Sequence, residues 1–151
     1  MRVYLVIMDD TAEARKALRF ASRRALATGG GVHILALVAK QNFNAFGAVQ
    51  ATIEQEARDR AEVIASSAAG NLLAESGKMP TITVKIGEGH TVIKEYLNDH
   101  PEVAALVLGS SDEGAPGPLI THFSAHSGTL PCPLYIVPGG FSAEEIDRLT
   151  Q

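Results

Sequence analysis

The stretch from Leu106 to Gly139, LVLGSSDEGAPGPLITHFSAHSGTLPCPLYIVPG, constrains the fold more than any other part of the chain. Leu106, Val107 and Leu108 form a short all-apolar run of the kind a parallel strand needs when helices cover both its faces, and Gly109 ends it. A loop follows, punctuated by Gly114, Pro116, Gly117 and Pro118. Leu119, Ile120 and Phe123 then recur at helical spacing as far as Gly128, which is placed to cap the helix C-terminus, and Leu134 to Val137 is a second apolar run. Pro118 falls at the first helical position, where its missing N–H costs nothing. The order is therefore strand, glycine-rich loop, helix, strand. The helix start offers the N–H groups of Leu119, Ile120 and Thr121 to a loop whose glycines permit close backbone approach. Such a place suits an anion, above all a phosphate.

The rest of the chain repeats this alternation. Val3 to Met8 reads as a central strand, and Thr11 or Asp10 can cap a helix that buries Ala14, Ala17, Leu18, Ala21 and Ala25. Arg15, Arg19 and Arg23 repeat on its other side as a solvated face. After Gly29, Gly30 and Gly31 comes a second strand, Val32 to Ala39, in which His33 is a packing residue. Phe43 and Phe46 in the next loop either line a ligand mouth or lie buried over the sheet edge. A long helix is expected from Val49 to Ser76, then a strand through Ile82, Val84 and Ile86, and a short helix carrying Val92, Ile93, Tyr96 and Leu97. Ser142 and Glu145 form a capping box that opens a short C-terminal helix or tail over 141–151. Residues 1–140 thus read as one three-layer, doubly wound α/β domain with a parallel five-stranded sheet.

Several functions lack support in the sequence. A net charge of -4 disfavours a nucleic-acid partner. Val3 to Met8 is too short for a signal-peptide core or a membrane span, so no membrane association and a cytoplasmic location are expected. The single cysteine, Cys132, stands between two prolines and reads as a packing residue. His122 and His126 share a helical face at the spacing of a metal pair, but no third ligand is evident and no metal is expected. No Gly-x4-Gly-Lys-[Ser/Thr] run is present. Ser110, Asp9 and His122 could meet at the sheet end, yet sequence order assembles no triad from them, and no catalytic residue is assigned.

The segment after Leu108 resembles the universal stress protein family, whose nucleotide-binding members carry G-x2-G-x9-G-[ST] between the fourth strand and the fourth helix. Gly109 matches the first glycine, Asp112 replaces the second, and the final Gly-Ser pair falls on Ile120 and Thr121, so that only a hydroxyl survives. The segment is also about two residues shorter than the pattern. MDDTAEARKAL, Met8 to Leu18, is similar to the family's opening VDGS segment, with Asp9 on its aspartate, Asp10 on its glycine and Thr11 on its serine. The resemblance implies an adenine nucleotide such as ATP, held by Asp9 on the adenosine side and by the backbone of Val38 or Ala39 at the adenine. Gly109, Ser110, Gly114, Gly117 and Thr121 would then surround the phosphates.

Asp112 and Glu113 would repel those phosphates unless a magnesium ion bridged the charges. Two functions therefore stand open for a non-catalytic stress-response module: nucleotide binding at a degenerate phosphate loop, or protein interaction after loss of nucleotide binding; a slow ATP hydrolase is a third alternative, for which the sequence offers no identifiable base or lysine motif. The resemblance also implies a homodimer through the last strand, Leu134 to Val137, an apolar edge that gains from being covered.

Overall fold

The computed structural model describes residues 2–9, 11–39 and 47–151, with the side chains of 47–50 left aside. Asp10, Phe43 and Phe46 lie outside the described residues. Five parallel strands alternate with five helices: β1 (Val3–Met8), α1 (Ala12–Thr28), β2 (Gly31–Val38), α2 (Gly47–Ser76), β3 (Thr81–Ile86), α3 (Gly89–Asp99), β4 (Val103–Ser110), α4 (Pro118–Ala125), β5 (Leu134–Pro138) and α5 (Ala143–Leu149). The sheet order is β3-β2-β1-β4-β5. Chain direction across the sheet therefore reverses between β1 and β4, and their carboxyl ends flank the crevice where doubly wound folds take ligands.

Strand β1 is buried on both faces, and its side chains divide cleanly between two cores. Tyr4, Val6 and Met8 pack under α1, α2 and α5 with Ala14, Ala17, Ala21, Ala65 and Ile146. Val3, Leu5 and Ile7 pack under α3 and α4 with Ile93, Leu97, Ile120 and Phe123. Each such large aliphatic side chain, fully buried, contributes about 1.5–3 kcal/mol.

Local chemistry fixes the element ends. Thr11 caps α1, its Oγ1 accepting from the Ala14 N–H at 3.2 Å. At the other end Gly29 adopts φ 67°, and the Gly30 N–H closes on the Ala25 carbonyl at 2.8 Å. The capping box of α5 is present, with Glu145 and Ser142 exchanging side-chain and backbone hydrogen bonds.

Three expectations need correction. Strand β4 begins at Val103, ahead of the Leu106 to Leu108 run, because pairing with β1 sets Val3 against Val103 and Tyr4 against Ala105. Helix α4 stops at Ala125, where the His126 N–H closes on the His122 carbonyl; Ser127–Thr129 is a separate 3-10 turn, so Gly128 is not the cap. The arginine face of α1 is not simply solvated. Arg19 grips Asp147 of α5 through Nε (2.9 Å) and Nη2 (2.7 Å), and Arg23 adds a third bond at 3.1 Å.

Candidate functional site

Asp9 directly follows β1 at the point where the strand order reverses. Its exposed carboxylate accepts through Oδ1 from the Thr11 N–H at 3.1 Å and from the Thr11 hydroxyl. That hydroxyl, having donated to Asp9, turns its lone pairs to the Ala14 N–H. Asp9 is thus not the cap of α1; it orients the residue that is.

Two clefts open on either side of Asp9. The first, about 220 Å³, is lined by Val38, Ala39, Ala57 and Arg60 as well as Met8 and Asp9. The second, about 120 Å³, brings Asp9 and Thr11 together with Leu108, Gly109, Gly117 and Leu119. A larger hollow of about 420 Å³ runs between α1 and α2 and also reaches Asp9, with Arg15 and Arg19 on its rim. Of the residues expected from sequence, Asp9, Val38, Ala39, Gly109 and Gly117 converge on the two clefts. Ser110, Gly114 and Thr121 are not among the residues that line them.

Close packing accounts for Gly109. A Cβ there would stand 2.0 Å from the carbonyl oxygen of Glu13, so glycine lets the end of β4 press against the first turn of α1. Nearby, the Gly139 N–H donates to the Ser110 carbonyl at 2.7 Å, and Lys16 Nζ donates to the Gly139 carbonyl. These bonds tie α1, β4 and the end of β5 into one rim.

The loop after β4 closes on itself. The Ser111 N–H donates to the Pro116 carbonyl at 3.0 Å, and the Ser111 hydroxyl accepts from the Glu113 N–H at 3.2 Å. Gly114 and Gly117 supply the positive φ values, 74° and 122°, that the turn demands. The Asp112 carboxylate lies beside Gly140, its Oδ2 3.7 Å from where a Cβ on that glycine would be, and neither Asp112 nor Glu113 lines the two clefts.

Thr121 departs from its expected part as a donor. Both its N–H and its hydroxyl donate to the Gly117 carbonyl at 3.1 Å. The first-turn donors of α4 are therefore the N–H groups of Leu119 and Ile120.

The histidines gather elsewhere. His122 stacks on His90 with ring centroids 3.9 Å apart and on His126 at 4.5 Å. Neither His122 nor Ser110 lines a cleft with Asp9. Among the described residues no three histidine, cysteine or carboxylate groups are arranged to hold a metal ion. His33 shares a 2.7 Å hydrogen bond with the Tyr96 hydroxyl, and burial holds its pKa below the ordinary histidine value. Burial likewise pushes the Cys132 thiol up, away from the reactive thiolate.

The sequence reading missed Arg60 and Glu13. Arg60 lies three residues after Ala57 and one before Ala61, so the helical spacing that marks the buried stripe also carries its side chain to the β2 end. Glu13 contributes its backbone, which leaves no trace in residue type.

A family model described as the universal stress protein family matches residues 1–138. No curated protein matches. Among solved structures, the chain is similar to universal stress protein UspA from Lactobacillus plantarum, with a TM-score of 0.74 at 19% identity, covering 90% of this chain and 97% of that one. It is also similar to the universal stress protein from Archaeoglobus fulgidus in complex with dAMP, with a TM-score of 0.60 at 14% identity over 91% and 97% of the two chains. A universal stress protein family protein from Arabidopsis thaliana with AMP bound gives a TM-score of 0.59 at 14% identity over 91% and 92%. At these identities the likeness establishes the fold. Among the described residues no helix is long and apolar enough to cross a membrane.

Proposed function

Since this chain belongs to the universal stress protein family, we propose that it is a non-catalytic stress-response module, dimeric in the cytoplasm, that holds an adenine nucleotide in the clefts beside Asp9. The observation that carries this reading is that one carboxylate borders both clefts at the reversal of strand order. Asp9 would accept hydrogen bonds from ribose hydroxyls, the adenine would lie against Val38 and Ala39, and the phosphate would meet the first-turn N–H groups of α4. The Archaeoglobus and Arabidopsis relatives, which hold dAMP and AMP, support an adenine nucleotide.

The phosphate grip is the weaker half of the site. Ser111, Glu113 and Thr121 spend backbone donors inside the loop and the α4 turn, so affinity rests mainly on the nucleoside end. Asp112 and Glu113 stand outside the linings of both clefts, which supports a phosphate position that neither carboxylate opposes. The same internal closure supports the second reading, a protein-interaction module without nucleotide.

The dimer would form through β5. This strand is the last in the sheet order, and Ile136 is 43% exposed on it, which makes it an edge that a second copy could cover. The test of the nucleotide reading is to denature the purified protein and chromatograph what is released. An adenine nucleotide at a substantial fraction of the protein concentration is expected. Nucleotide-free protein that also fails to take up added AMP would favour the interaction module.

A further inference from the structure

Three of the five histidines meet in one column at the contact between α3 and α4. His90 comes from the first turn of α3, His122 from α4, and His126 from the position that closes the C-terminus of α4. The two helix starts are closely applied, since a Cβ on Gly89 would stand 3.0 Å from Leu119 Cδ2. His126 Nδ1 lies 2.9 Å from the His122 carbonyl and, facing an acceptor, must carry a proton there. His90 Nδ1 lies 3.4 Å from a carboxylate oxygen of Glu88.

We propose that the stacked rings of His90, His122 and His126 form a proton-operated latch, closed when neutral, that joins α3 to α4 and so sets the position of the α4 first turn at the Asp9 cleft. Neutral imidazoles stack face to face without charge repulsion. Imidazolium rings at 3.9 and 4.5 Å oppose one another.

The groups facing His122 are His90 and Lys94 on α3, His126 just past the end of α4, and Glu88 in the turn before α3. Partial desolvation and then the cationic neighbours His90 and His126 lower its pKa, while Glu88 opposes them. A positive charge on a ring beside His122 resists protonation of His122 itself. As more protons arrive, the column parts. Helix α4 is the element free to answer, because it has only eight residues and its first turn, Pro118 to Ile120, walls the small cleft with Asp9 and Gly109.

The test combines histidine ring titration by proton–carbon NMR with amide hydrogen exchange of α4, measured at pH 7.5 and 5.5 and corrected for intrinsic rates. Three proteins are compared: the unaltered chain, His90→Gln and His122→Phe. His122 is expected to titrate below a free imidazole and to move upward in His90→Gln. Exchange in α4 is expected to rise several-fold at pH 5.5 in the unaltered chain and to stay low in His122→Phe, which keeps a stacking ring but takes no proton. An unchanged His122 titration in His90→Gln, or an acid rise of α4 exchange that persists in His122→Phe, overturns the latch.

Discussion

Gly109 leaves room for the carbonyl oxygen of Glu13, which would lie 2.0 Å from a Cβ at that position. The glycine that opens the phosphate-loop resemblance is therefore explained by the seating of α1 on the end of β4. Alanine has no room without moving backbone on one side. Gly109→Ala is expected to lower stability by about 1–3 kcal/mol, the usual range for overpacking, as a fall in the urea midpoint. An unchanged midpoint would show that α1 yields freely and that packing does not require glycine there.

Asp112 lies beside Gly140 and does not line the small cleft. Asp112→Ala should leave nucleotide affinity unaltered, with or without magnesium. A gain in affinity on removing the charge, or a magnesium requirement that disappears with it, would put the carboxylate against the phosphates after all. Titration with AMP in the presence and absence of magnesium decides this.

Ile136 is the exposed aliphatic residue of the edge strand β5. Replacing it by aspartate should convert a dimer to a monomer in light scattering while leaving the far-ultraviolet circular dichroism unchanged, because Ile136 belongs to neither buried core. A dimer that survives Ile136→Asp must use another face.

Ile146 is fully buried and docks α5 onto α1 beside the Arg19 and Asp147 clasp. Ile146→Ala should cost about 2–5 kcal/mol, as large-to-small core changes do. Hydrogen bonding to Arg19, aided by the charges of Arg19 and Arg23, lowers the Asp147 pKa. Its contribution is therefore present above the ordinary carboxylate pKa and lost as pH falls through the lowered one. Loss of the clasp should appear below about pH 4, as a fall in thermal midpoint that Asp147→Asn abolishes.

His33 adds a second pH window. Burial first, and the nearby His100 less strongly, lower its pKa, against Glu102. A lowered histidine binds its proton more readily when unfolded, so its contribution is complete above about pH 6.5 and is lost as pH falls toward the folded value. The thermal midpoint should decline as pH falls below about 6.5. His33→Gln should flatten part of that decline, and a decline identical in this variant would assign it to other groups, His122 first among them.

Much of the fold was legible because each strand is an apolar run between turn residues, and parallel strands buried on both faces leave that mark. Asp9 was legible for a related reason: it directly follows an uninterrupted apolar run, so it must stand at a strand end. Thr11 could be named as a cap, although its link to Asp9 could not. The unread features depend on distant neighbours. Whether Asp112 faces a phosphate or Gly140 is decided by how the β5 end meets the β4 end, 27 and 28 residues apart in the Asp112–Gly139 and Asp112–Gly140 pairs. The arginines of α1 have the period of a solvated face, and only the return of α5 shows that two of them grip a carboxylate. The early end of α4 likewise followed from a backbone closure at His126 rather than from the glycine two residues on.

The most direct measurement is calorimetric titration of AMP into the unaltered chain and into Asp9→Ala, both checked for folding by circular dichroism. Saturable binding by the unaltered chain, abolished or weakened at least tenfold in Asp9→Ala, a loss of about 1.4 kcal/mol or more, is the expected result. Equal binding by the two proteins, or none by the unaltered chain at millimolar AMP, would contradict nucleotide recognition at the Asp9 clefts.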